Sequence, residues 1–88
     1  MKHAGAAALD RLEPLMDQIR ALGTFKERSR GAFYLKSRAF LHFHEDPAGL
    51  FADVRAEDGN HFERMKVDDP AGAAALVARA AAAAKGRP

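Results

Sequence analysis

Between Gly31 and Val67 apolar and polar residues alternate, and two tight-turn signatures interrupt the run, Asp46-Pro47-Ala48-Gly49 and Asp58-Gly59. This arrangement constrains the fold more than any other feature of the chain. Alternation with a period of two reads as strands with one buried face. In the first turn Pro47 pre-sets its backbone angle, Asp46 can bond back to the chain, and Gly49 takes the fourth position, as a type I turn prefers. Asp58-Gly59 is a two-residue hairpin signal of the primed type, with both residues expected at positive φ. A further turn is expected at Lys36-Ser37. Turns this short join only antiparallel neighbours, so the segment reads as a four-stranded antiparallel meander.

The turns also set a register. Centring the pairing on 46–49 brings Glu45 opposite Leu50, Phe43 opposite Ala52 and Leu41 opposite Val54. Centring the next on 58–59 brings Ala52 opposite Met65 and Leu50 opposite Val67. Leu41, Phe43, Leu50, Ala52, Val54, Met65 and Val67 then line one apolar face, as a half-buried sheet requires. Glu63 fits poorly opposite Val54 and marks the margin of that core. The same register gives the other face Phe33, Phe40, His42, His44, Phe51, Asp53, Arg55, Phe62 and Arg64, with Leu35, Arg38 and Lys66 beside them. Aromatic residues clustered away from the apolar face suggest a contact surface. Three occupants are open: a second copy of the chain, an extended ligand or nucleic acid stacking on the aromatics with Arg and Lys on phosphates, or the N-terminal segment lying over the face.

Helices flank the strands. Leu9, Leu12, Leu15, Met16, Ile19 and Leu22 recur at three- and four-residue spacing and so share one helical face, ending at Gly23. Pro14 either opens the ordered part of that helix or kinks a longer one. Thr24 to Gly31 reads as a polar connection. Asp69 and Pro70 are a helix start, Ala73 to Ala84 has high helix propensity, and Gly86 can end it, with Lys85 and Arg87 favouring the negative end of the helix dipole. The expected fold is α+β: helix, four-stranded meander, C-terminal helix, with both helices on one sheet face. The 88 residues make one domain, with residues 1–5 and 85–88 as loose ends.

Composition narrows the function classes. There is no cysteine, which removes disulfides and thiolate metal sites and is compatible with a reducing cytoplasm. Asp10 arrives too early for a signal peptide, and no apolar run approaches the roughly 20 residues of a membrane span, so a cytoplasmic protein without membrane contact is expected. Charge is segregated. Lys26, Arg28, Arg30, Lys36 and Arg38 face only Glu27 between residues 24 and 44, whereas residues 45–69 carry Glu45, Asp46, Asp53, Glu57, Asp58, Glu63, Asp68 and Asp69 against Arg55, Arg64 and Lys66. Attraction between the two segments across a sheet is the expected use of this pattern.

FLHFHED, residues 40–46, places metal-ligating side chains together. His42 and His44, two apart on a strand, point the same way and can chelate a metal through imidazole nitrogens. Asp53, opposite His42, is the candidate third ligand or orienting group. Glu45 turns to the other face, Asp46 belongs to the turn, and His61 falls on the helix side. The competing reading is a polar row, His42–Asp53–Arg64, with no metal. Ser29 and Ser37 lack any nucleophile motif, and the glycines make neither a phosphate loop nor a dinucleotide fingerprint. The expectation is a non-enzymatic domain without a cofactor.

The run AFYLKSRAFLHFHEDPAGLFADVR, after a leucine-rich helix and before a hairpin and helix, resembles a small family of bacterial proteins. The order of elements, and the basic-residue-then-Ala-Phe pattern from Lys36 to Phe40, are also similar to the MmcQ/YjbR family. That resemblance implies a bacterial cytosolic α+β domain and, from the family's DNA-binding label, admits nucleic acid as a partner. It transfers no site residues. The function expected is therefore binding, through self-association as a homodimer or contact with another protein at the aromatic and basic face. Nucleic-acid binding and metal binding by His42, His44 and Asp53 are the alternatives.

Overall fold

The computed structural model describes residues 1–86. The elements run β1 (Lys2–His3), α1 (Ala6–Ala21), β2 (Lys26–Ser29), β3 (Ala32–Leu35), β4 (Arg38–Asp46), β5 (Gly49–Arg55), β6 (Phe62–Lys66) and α2 (Pro70–Ala84). The fold is α+β. Strands β2 to β6 form an antiparallel sheet in chain order, and β1 pairs with β4 alongside the end that β3 leaves open. Two strands thus join the expected four. Among the described residues no helix is long and apolar enough to cross a membrane.

The hairpin chemistry explains the meander. Asp46 accepts from the Ala48 N–H at 3.1 Å, so the side chain bonds back as a type I turn favours. Lys36 and Ser37 have φ of 52° and 72°, the left-handed pair that a primed two-residue hairpin needs. The Asp58-Gly59 expectation needs correction: only Gly59 of that pair has positive φ. There the Gly59 N–H donates to the Ala56 carbonyl at 2.9 Å and Asn60 donates to Asp58 Oδ1 at 2.8 Å. The connection is longer than two residues because Asp58 caps Asn60 instead of entering the left-handed region, yet it preserves the expected register.

Residues 24–31 are not a plain connection. Residues 26–29 pair with β3, and the turn between the two strands uses Gly31 at φ 83°. A Cβ at Gly31 would stand 2.8 Å from Leu9 Cδ2, so glycine also lets α1 approach this turn. The start of the chain differs too: Lys2 pairs with Glu45 and His3 with His44, so residues 1–5 are tied to the sheet where a loose end was expected.

The register in the centre is the one the turns imply, with Leu41 opposite Val54, Phe43 opposite Ala52 and Ala52 opposite Met65. These residues share one continuous core with Leu9, Leu12, Leu15, Met16 and Ile19 of α1 and Leu76, Ala80 and Ala83 of α2. Burying such side chains contributes roughly 1.5–3 kcal/mol each for the large ones. Helix α1 is continuous through Pro14, because the buried leucine stripe on both sides of it outweighs the lost backbone bond. Asp69 caps α2 by accepting from the Gly72 N–H at 2.6 Å. At the other end Gly86, at φ 68°, donates to the Ala83 carbonyl. The remainder of the expected loose end, residues 87–88, and with it Arg87, lies outside the described residues. Glu63 avoids the core by reaching Arg79 of α2 at 2.9 Å.

Two residues expected on the open face are in the core, and Leu35, expected beside them, packs half-buried against it. Phe33 is 1% exposed and pairs with Leu41, and Phe40 is 5% exposed. The cause is a bulge: Tyr34 pairs with Ala39 but Phe33 pairs with Leu41, so Phe40 is an extra residue in β4. One inserted residue reverses the facing of everything beyond it. Phe33 therefore turns to the helices, and the Phe40 ring lies tilted by 31° against Phe25 with centroids 4.9 Å apart.

Candidate metal centre

Alternation along β4 and β5 places His42, His44, Phe51 and Asp53 on the sheet face away from the core, and β6 adds Arg64 beside Asp53. Register pairs His42 with Asp53 and Asp53 with Arg64. Arg64 grips the Asp53 carboxylate through both arms, Nε to Oδ1 at 2.8 Å and Nη2 to Oδ2 at 2.9 Å. This bidentate pair holds the Asp53 carboxyl below its usual range, against the opposing effect of burial. The carboxylate is thus fixed, charged and close to two imidazoles: Asp53 Oδ2 lies 3.1 Å from His44 Nε2 and 3.6 Å from His42 Nε2.

The third imidazole arrives from β1. The His3 ring stacks on His44 with centroids 4.7 Å apart and planes 25° apart, and its centroid lies 5.5 Å from that of His42. The His42 and His44 rings meet edge to face at 4.9 Å. One ligating nitrogen from each of His3, His42 and His44 falls within 4.8 Å of the others. Ligands of one zinc-sized ion, each about 2.0–2.1 Å from it, stand roughly 3.3 Å apart in a tetrahedral site. His3 is exposed, so its ring is the least constrained of the three.

The chemistry of the donor set fits such an ion. The His44 side chain is 13% exposed, yet its Nδ1 and Nε2 are buried without a hydrogen-bond partner among the protein groups. Its Nε2 lies 3.1 Å from Asp53 Oδ2 without making a hydrogen bond. A buried polar atom normally has a partner, so a site built around an unpartnered imidazole is incomplete as protein alone. Burial pushes the His42 imidazole below its usual range, the neighbouring His44 adds to this, and Asp53 opposes it. A ring held neutral offers a lone pair with less competition from protons. Neutral imidazoles suit zinc, copper and nickel ions, and a carboxylate beside ligating histidines fixes ring orientation.

The remaining residues expected at the face sort themselves by position. Phe51 is half-buried opposite His44, while Phe62 is 37% exposed and borders His42 at 5.6 Å between centroids. The Arg55 guanidinium lies 4.8 Å from the Phe62 ring centroid, and it donates to the carbonyls of Ala39 and Gly59. His61 is in the loop before β6, exposed, 3.3 Å from Asp58 and 3.9 Å from Glu63, whose carboxylate also meets Arg79 of α2.

The basic segment pairs differently from the expectation. Arg30 bonds Asp10 and Glu13 of α1, at 2.9 and 2.7 Å. Arg38 donates to the Gly59 carbonyl and Arg28 lies over Tyr34. Lys26 belongs to β2 and Lys36 to the first tight turn. The ion pairs that Arg30 makes thus run to α1, because the turn between β2 and β3 packs beside that helix.

Sequence reasoning found His42, His44 and Asp53 but missed His3. Two residues are too few for a periodicity, and His3 becomes a neighbour of His44 only through long-range pairing with β4.

Fold and site together define a small α+β domain with a histidine cluster on the open face of its sheet. No family model, curated protein or solved structure matches the chain.

Proposed function

We propose that this domain binds one divalent transition-metal ion of the zinc, copper or nickel class through His3, His42 and His44, with Asp53, held by Arg64, orienting the imidazoles. The observation that carries this reading is the convergence of three imidazoles around His44, whose two ring nitrogens are buried without a hydrogen-bond partner. The role is binding rather than catalysis. Equilibrium dialysis of untagged protein against zinc, followed by elemental analysis, is expected to find one ion per chain and none in the His42→Ala/His44→Ala double variant. Equal zinc content in the two proteins would sink the proposal.

Self-association through the same face is the second reading. It is favoured by Phe62, which, with Met1, is a large apolar side chain left exposed, and by its stacking against Arg55, an aromatic–arginine pair of the kind enriched at interfaces. Sedimentation velocity at high concentration decides it: a monomeric wild type ends this reading, whereas a dimer that Phe62→Ser dissociates supports it.

A further inference from the structure

Little apolar surface holds β1 to the sheet: Ala4, just after it, packs half-buried against the core. Met1, Lys2 and His3 are all exposed, and a two-residue strand forms too few ladder bonds to offset the entropy of ordering a chain end. Its visible attachments are polar: the register with His44 and Glu45, the Ala4 N–H donating to the Phe43 carbonyl at 3.0 Å, the Gly5 N–H donating to Glu45, and the terminal amine 3.4 Å from Asp46. They are few, and the ionic ones are individually weak. Apart from Ala4, the side chain of this segment that reaches the sheet is His3, through its ring contacts with His42 and His44.

We infer that the metal ion is the clasp that fastens β1 to β4, so that ion binding and docking of the N-terminal strand form a single coupled equilibrium. The inference rests on the metal-binding reading above. Of the three imidazoles, His42 and His44 are already fixed on one strand, and only His3 belongs to a segment that can leave. The two fixed rings form a weaker, half-built site, and the ion completes its donor set only when β1 is in place. Coupling between two equilibria is reciprocal. The factor by which His3 strengthens ion binding must equal the factor by which the ion strengthens docking.

Two measurements on untagged full-length protein test this at one fixed pH. The first is the zinc dissociation constant of wild type and His3→Ala, by competition with a chromophoric chelator. The second is the exchange rate of the Ala4 amide, which is protected only when β1 is docked, with and without saturating zinc. The Val54 amide serves as a check on global folding. The expected result is that zinc slows Ala4 exchange at least about tenfold, a coupling of 1.4 kcal/mol or more. The same factor should separate the two dissociation constants, and in His3→Ala zinc should leave Ala4 exchange unchanged. If zinc binds wild type but Ala4 exchange does not respond, or if His3→Ala binds as tightly as wild type, the clasp is refuted while metal binding survives. If wild type binds no zinc, both fall.

Discussion

Replacing Phe40 by alanine should cost this domain a large part of its stability, although simple alternation places Phe40 on the open face. The side chain is 5% exposed and belongs to the core shared by both helices, with its ring against Phe25 at 4.9 Å. Truncating a buried phenylalanine typically costs about 3–5 kcal/mol, lost transfer energy and the cavity left behind together, and an aromatic partner adds about 0.5–1.5 kcal/mol of favourable contact to what is lost. Domains hold about 0.05–0.15 kcal/mol per residue, which for 88 residues is about 4–13 kcal/mol in total. Phe40→Ala should therefore remove at least about a quarter of the margin and lower the melting temperature by roughly 14–50 °C. Phe62→Ala is the control. That ring is 37% exposed and its distinctive contact is with Arg55, so the loss should be about 1 kcal/mol or less. Urea unfolding followed by far-ultraviolet circular dichroism compares the two midpoints. If Phe40→Ala unfolds no more readily than Phe62→Ala, the bulge that turns Phe40 into the core is misplaced and the open face regains it.

Two further outcomes are expected. Glu27 accepts two bonds from Arg20, at 2.7 and 2.9 Å, and one from the Gly31 N–H at 2.9 Å; Arg20 first, then the Gly31 bond, holds its carboxyl below the usual glutamate range, against the opposing effect of burial. A carboxyl lowered on folding contributes stability above its unfolded value and loses it as pH falls through the folded one. Glu27→Gln should accordingly cost about 1–2 kcal/mol near neutrality, and the gap in urea midpoints should close in acid; a gap undiminished at about pH 3 contradicts the account. Asp53→Asn should weaken zinc binding about 10–100-fold, the usual loss when a group behind metal ligands is removed, and an unchanged dissociation constant would mean that the carboxylate does not orient the imidazoles.

The readable parts of this chain were those governed by local chemistry. Pro47, Gly49 and Asp46 dictate a turn whatever surrounds them, and that turn alone sets Leu41 opposite Val54. Asp69 and Pro70 likewise announce α2. The misreadings come from features that local rules cannot see. Strict alternation from Lys36-Ser37 puts Phe33 opposite Phe40, and a single extra residue in β4 moves it opposite Leu41 and across the sheet. Residues 26–29 look like a charged connection because both sides of an outer strand can be wet; their pairing with β3 depends on Gly31 at φ 83° letting α1 close over the turn. The candidate site divides the same way. His42 and His44 share a face by spacing alone, whereas His3 joins them across some forty residues of chain through pairing that leaves no periodic trace.

The two outermost strands carry a consequence for how these molecules tolerate one another. β2 reads Lys26-Glu27-Arg28-Ser29 and β6 includes Glu63, Arg64 and Lys66. A sheet edge is a template on which a neighbour's strand can grow, and charged rows are one of the means by which proteins refuse that growth. Both lateral rims here are charged. β4 overhangs the shorter β3, and β1 occupies that overhang. With β1 docked, a neighbouring strand that approaches either lateral rim meets a charged row, and the stretch of β4 beyond β3 is already paired. A segment with two paired residues thus completes the protection of a sheet whose other borders are guarded by charge.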